Sequence, residues 1–274
     1  MKTAYVMVAK RPDKIKKRIE YYLNKFFKRV VEKNNVYIIY SLKHNNKIKE
    51  LLVKHDVELA IFEPKINIEY AKPDGRFLLK YMLPETLKYC TKQINKPFYQ
   101  VSIAVSKYTT ENIEIIKKIA DEFKNIKIIT QNKLFDNLEK ELEKKEIYIT
   151  TMNNRRMALK NTNILINIDY KSITSYVINK NMFILDLKGN LDLPKKYTGT
   201  YIKGLKVDTD KTMNVLNDFE GMDRSGLLEI QMASIDDYRS VRKFIEINKF
   251  KIVGLIGKNK EYSIKNILWN NYKI

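Results

Sequence analysis

Short apolar runs separated by amphipathic stretches recur along the chain, and their spacing predicts alternating strands and helices. From residue 98 the alternation is regular. FYQVSIAVS (98–106) has the length of a buried strand, and TTENIEIIKKIADEF (109–123) carries apolar residues three and four apart, as a helix with one buried face requires. IKIIT (126–130), EIYITT (146–151), NILINID (163–169) and MFILDL (182–187) predict four further strands, and GTYIKGLKV (199–207) a sixth. Between them, LFDNLEKELEKK (134–145) and the short NNRRMALKN (153–161) read as helices. Strands that are continuously apolar, rather than alternating, are covered by helices on both faces. Such a succession imposes right-handed crossovers and a mainly parallel, doubly wound α/β sheet, with expected strand order 3-2-1-4-5.

The first hundred residues follow a looser version of the same rhythm. PDKIKKRIEYYLNKFFKRVVEKNN (12–35) places Ile15, Ile19, Leu23, Phe26, Phe27, Val30 and Val31 at helical spacing, with Pro12 in the first turn. VYIIYSL (36–42) and VELAIFEP (57–64) predict strands on either side of a helix in NNKIKELLVKHD (45–56). Asp74-Gly75 is a turn signal ahead of a helix through residue 94 that Pro84 kinks or interrupts. In the tail, residues 210–234 and 236–247 read as helices and FKIVGLIG (250–257) as a late strand. Three domains are expected: a smaller N-terminal α/β domain over 1–97, the doubly wound sheet over 98–208, and a helical extension with a late strand over 209–274 that packs back on the first. Asn95-Lys96-Pro97 marks the first junction.

Composition narrows the partners. With 274 residues and 44% hydrophobic content the chain affords a sizeable core. No apolar run approaches the roughly 20 residues of a membrane span. AYVMVA near the start is shorter than a secretory core. A single cysteine, Cys90, makes no internal disulfide, and a cytoplasmic protein is expected. His44 and His55 lie eleven residues apart without cysteines nearby, so no metal site is expected. The formal charge of +20 invites a nucleic-acid or membrane-surface partner bound through Lys14, Lys17, Arg18 and Lys25. Against that, the excess is mostly lysine in a chain rich in Ile, Asn and Tyr, the slant of an AT-rich genome. It also gathers at the N-terminus, whereas acidic and basic residues balance over 101–150.

ITTMNNRRMALKNTNILINIDY followed by INKNMFILDLKGN resembles the second half of the nucleotide domain in shikimate dehydrogenase and glutamyl-tRNA reductase. There a short helix runs into an ADIVINAT-like strand, and a VIDL-like strand comes next. The resemblance covers about residues 98–208 and implies a Rossmann-like sheet with a dinucleotide cofactor. A further likeness is to proteins of low-GC bacteria. The family's glycine-rich loop would fall on Ser106 to Thr110, which contains no glycine, and none occurs between Gly75 and Gly189. Three glycines normally serve the tight turn, the pyrophosphate approach and the helix–strand contact, so the domain reads as degenerate. After the second strand the family's acidic ribose ligand is replaced by Thr130, Gln131, Asn132 and Lys133, an ending that suits NADP if a cofactor binds at all.

Ligands of open α/β sheets bind beyond the carboxyl ends of the strands. This places Ser106, Lys107, Thr109, Thr110, Gln131, Asn132, Asn153, Arg155, Arg156 and Asp169 as candidate binding residues. Helix amides opened by Thr109 and Thr110 favour an anion, and the two arginines offer a clamp. No catalytic motif of diagnostic spacing occurs, and no catalytic residue is assigned. The leading expectation is a non-catalytic binding or regulatory module, without bound cofactor, for a small anionic ligand or a protein partner. An NADP-dependent oxidoreductase and an RNA- or membrane-surface-binding protein are the alternatives.

Overall fold

The computed structural model describes residues 1–8, 30–33, 36–41, 46–93, 100–123, 125–172, 182–195, 197–213, 216, 219, 221–258 and 261–263. Most of the basic segment 12–35, His44, the Asn95-Lys96-Pro97 junction and the connector after Ser172 lie outside them. The chain forms two compact units, one of Met1–Asp74 with Val207–Lys251, the other of Gly75–Lys206 with Ile252–Ile274.

The first unit holds β1 (Thr3–Val8), β2 (Val30–Lys33), β3 (Val36–Ser41), helix α1 (Asn46–Lys54) and β4 (Leu59–Phe62). Its sheet has order β2-β3-β1-β4, parallel throughout except for β2 against β3. The helical reading of residues 12–35 is therefore corrected at its end: Val30 and Val31 belong to a strand. Their side chains branch at Cβ, which favours an extended backbone, and Val36–Ser41 two residues on offers a partner. Ile48 and Leu52 of α1 bury against Val6, Ile39 and Ala60.

The second unit opens at Gly75, whose φ of +79° precedes α2 (Arg76–Tyr81). α3 (Leu83–Gln93) follows after a break at Met82, with Pro84 in its first turn, where a missing N–H costs nothing. Five strands then alternate with three helices: β5 (Val101–Ala104), α4 (Thr110–Glu122), β6 (Asn125–Ile129), α5 (Phe135–Glu143), β7 (Tyr148–Met152), α6 (Arg155–Leu159), β8 (Ile164–Asn167) and β9 (Phe183–Asp186). With β10 (Tyr201–Ile202) they form one parallel sheet of order β10-β9-β8-β5-β6-β7. The five expected strands thus stand in the expected order, and the fold is a Rossmann-like α/β sheet. GTYIKGLKV divides, because Tyr201–Ile202 joins this sheet while β11 (Gly204–Asp208) forms a separate strand.

β5, β8 and β9 are buried at every position, as their unbroken apolar runs demand. Ile115, Ile116 and Ile119 of α4 and Phe135, Leu138 and Leu142 of α5 supply buried helix faces. α2 is tied to the first turn of α4, where the Tyr81 hydroxyl donates to Glu111 Oε1 at 2.6 Å and Lys80 Nζ lies 2.5 Å from Oε2.

The tail carries α7 (Arg224–Ala233), α8 (Tyr238–Ile247), β12 (Lys251–Ile256) and β13 (Glu261–Ser263). α7 lies on β1 and β4 of the first unit, where Tyr5 stacks on Phe219 at 4.4 Å. Gly226 permits this approach, since a Cβ there would stand 2.9 Å from Ile61 Cδ1.

Candidate functional site

The parallel sheet changes direction between β5 and β8: one half of the chain order runs outward through β6 and β7, the other through β9 and β10. The loops leaving β5 and β8 meet across this switch point. The Ser106 N–H donates to Asp169 Oδ1 at 2.7 Å, and the Lys107 N–H donates to Oδ2 at 2.9 Å. One carboxylate thus takes both loop amides. The helix that follows is capped, because Thr109 Oγ1 accepts from the Asn112 N–H at 3.2 Å. Asn112 Nδ2 in turn donates to the Lys107 carbonyl at 2.9 Å. Thr110 begins α4 and is exposed.

Asp169 is held from behind by buried groups. Asn167 and Asp186, the last residues of β8 and β9, are both fully buried. Asn167 Nδ2 donates to the Tyr170 carbonyl at 2.9 Å and to Asp186 Oδ1 at 2.8 Å, while its Oδ1 accepts from the Tyr170 N–H at 3.1 Å. Asp186 also accepts from Lys188 N at 3.1 Å, Leu191 N at 2.8 Å and the Tyr201 hydroxyl at 2.5 Å. Burial, and then the hydrogen bond to Asp186, push the Tyr201 phenol well above its ordinary range. The Arg155 guanidinium lies 4.7 Å above the Tyr170 ring. Burial raises the Tyr170 phenol, and the arginine opposes the rise.

A cavity of about 440 Å³ opens elsewhere on the same edge, at the carboxyl ends of β6 and β7. Thr130, Gln131, Asn132 and Lys133 line one side, and Thr151, Met152, Asn153 and Asn154 the other, with Asp136 and Met157 from the flanking helices. Several of these groups are pre-positioned. Asn132 Oδ1 accepts from Leu134 N at 3.0 Å, and Asn154 Oδ1 caps α6 by accepting from Met157 N at 3.1 Å. The Thr151 hydroxyl lies 2.6 Å from Glu139 Oε2 and 3.0 Å from Asp136 Oδ1, which ties both carboxylates to β7. Lys133 supplies a positive charge at the rim, and Met157 is 61% exposed there.

The ten expected binding residues therefore fall into separate groups. Ser106, Lys107 and Asp169 close on one another, whereas Gln131, Asn132 and Asn153 line the cavity. Arg155 is half-buried on Tyr170, and Arg156 is exposed on α6. Neither is among the described residues that line the cavity. Asn167, Asp186, Tyr201 and Thr151 were not anticipated. The signal was present for two of them: a polar residue ending an otherwise apolar strand, in ILIN and FILD. Among the described residues, no group of three or more His, Cys, Asp or Glu side chains is arranged to hold a metal ion. No described helix is long and apolar enough to cross a membrane.

With this geometry in view, the chain can be set beside known proteins. It resembles Rossmann-fold dehydrogenases, weakly. Shikimate 5-dehydrogenase from Listeria monocytogenes, solved with shikimate and NAD, shares 7% identity over 89% of this chain and 96% of that one, with a TM-score of 0.33. Mycobacterium tuberculosis shikimate dehydrogenase shares 10% over 89% and 98%, with a TM-score of 0.32. A chorismate mutase/shikimate 5-dehydrogenase fusion protein from Clostridium acetobutylicum shares 10% over 89% and 96%, with a TM-score of 0.30. No protein-family model matches the sequence, and no curated protein does. At these identities no residue's role passes to this chain.

Proposed function

We propose that this protein is a binding or regulatory module that holds a small ligand bearing an anionic group in the cavity at the ends of β6 and β7. The observation that carries this reading is the cavity itself. It has the size of small-molecule sites, an apolar wall in Met152 and Met157, and a few convergent polar groups. Gln131, Asn132 and Asn153 offer amide donors and acceptors that read the edge of a planar polar ring, and thioethers pack well on such a ring's face. Lys133 attracts the anionic group. The β5–α4 loop supports the same choice, since its Ser106 and Lys107 amides are already engaged by Asp169.

A second reading, an NADP-dependent oxidoreductase, is favoured by one specific feature. Thr130 to Lys133 follow the second strand and face the cavity. In a nucleotide domain of this type, that ending meets the adenosine ribose, and a basic, non-acidic version of it suits a 2′-phosphate.

Calorimetric titration separates the two. Inorganic phosphate, sugar phosphates, adenosine 2′- and 5′-monophosphates, NADP and NADPH are titrated into the purified protein and into Lys133→Gln. A monophosphate that binds, weakens about tenfold on losing Lys133, and is not surpassed by NADPH is the expected result. NADPH binding far more tightly than adenosine 2′-monophosphate would establish the second reading. Absence of any binding across the panel would overturn both.

A further inference from the structure

We infer that Asp169 is the resident anion of the switch-point crevice, occupying the two loop amides that an external phosphate would need and so determining which ligands this protein excludes. The geometry resembles anion capture turned inward. Each carboxylate oxygen accepts one N–H, from Ser106 at 2.7 Å and from Lys107 at 2.9 Å, so no loop donor is left directed at solvent from these two positions. A phosphate brought to the same amides would have to displace the carboxylate and would meet its negative charge at contact distance. Exclusion rests on the occupied donors rather than on net charge, since the Lys188 ammonium donates to the Asp169 carbonyl at 3.4 Å.

The placement is built rather than incidental. Asp169 stands on a turn that the Asn167 side chain closes by binding both the N–H and the carbonyl of Tyr170. Asn167 is anchored on Asp186, which is itself locked by Lys188 N, Leu191 N and Tyr201. Three fully or nearly fully buried polar side chains therefore stand in series behind one turn, Tyr201 on Asp186, Asp186 on Asn167 and Asn167 on the turn itself, which carries the carboxylate. Such an arrangement holds Asp169 in register with β5 and leaves it little freedom to swing aside. Asn167, Asp186 and Tyr201 are positioning residues; Asp169 is the specificity determinant. The claim about the crevice stands on this geometry alone, while the corollary that ligands are left to the β6–β7 cavity rests on the function proposed above.

Backbone amide exchange and inorganic phosphate titration, both followed residue by residue in NMR of the full chain, test the inference. In the wild type, the Ser106 and Lys107 amides are expected to be protected and their resonances unmoved by phosphate. In Asp169→Ala, exchange at both amides should rise about ten- to a hundredfold, the loss expected for charge-assisted bonds, and phosphate should shift both resonances saturably. Asp169→Asn keeps the shape but turns one acceptor into a donor, so just one of the two amides should lose protection, and this variant carries the test if Asp169→Ala does not fold. Phosphate shifts in the wild type, unchanged protection in either variant, or exposed amides that ignore phosphate in Asp169→Ala would each overturn the inference. Loss of cavity binding in Lys133→Gln leaves these results untouched, so failure of the proposed function and failure of this inference are told apart.

Discussion

Replacing Asp186 by Asn probes the buried network with little change of shape. The wild-type carboxylate accepts four hydrogen bonds, two at Oδ1 from Asn167 Nδ2 and Lys188 N, and two at Oδ2 from Leu191 N and the Tyr201 hydroxyl. An amide in its place must turn an NH₂ toward one of these pairs. The less costly choice is the Oδ2 side, because the Tyr201 hydroxyl can rotate to accept, leaving Leu191 N as the stranded donor. A buried donor without a partner costs about 1–3 kcal/mol, and the bonds that remain weaken by about 1 kcal/mol each once the charge is gone. Relief of the buried charge offsets part of this, so a net destabilisation of about 2–4 kcal/mol is expected. The site is fully buried, and solvent screening does not reduce the figure. Native-state hydrogen exchange at the Ile184 and Leu185 amides reads this unit without assuming that the whole chain unfolds in one step. A Tyr201→Phe variant completes a double-mutant cycle, with coupling of about 1–2 kcal/mol expected. A change below about 1 kcal/mol in Asp186→Asn would refute the argument that this carboxylate anchors the sheet edge.

Three further outcomes follow from single sites. Gly75→Ala should destabilise the second unit by more than about 3 kcal/mol in urea unfolding, because φ is +79° and a Cβ would stand 2.2 Å from the Leu205 carbonyl oxygen. The Cys90 thiol is buried and pushed up to about 12 by that burial, so iodoacetamide should leave it unlabelled in the native protein at mildly alkaline pH and label it on unfolding; fast native labelling would contradict the burial. For Tyr201, the ordinary phenol value is 10.0 and the folded value is higher, so the neutral form is favoured in the fold. That stabilisation is complete below pH 10 and is lost as pH rises above it. The urea midpoint should fall as pH rises above about 10, less steeply in Tyr201→Phe, and an unchanged slope would remove Tyr201 from the effect.

The local physics of the chain accounts for how much of the second unit can be read in advance. Val101–Ala104, Ile164–Asn167 and Phe183–Asp186 are buried throughout, and continuous apolar runs are the one local signature such strands have. Thr109 and Asn154 announce helix starts because their oxygens satisfy nearby amides, an interaction confined to three residues. The same locality explains the error at Val30 and Val31. Their spacing fits a helix face, but pairing of Val30 with Ile39 and of Val31 with Ile38 joins residues on two different segments, on which periodicity is silent.

What the sequence by itself determined about this protein is its class and order of elements: strand and helix periods, the loss of glycine from the β5–α4 loop, and hence a parallel sheet lacking the usual phosphate turn. Tertiary structure alone decided what replaced that chemistry. Asp169 reaches Ser106 across 63 residues, and Tyr201 reaches Asp186 across 15. Whether a polar residue at a strand end faces solvent, a ligand or another side chain depends on which strand lies beside it. That neighbour is chosen by the sheet's topology, here β8 beside β5, because parallel pairing brings together residues far apart in sequence.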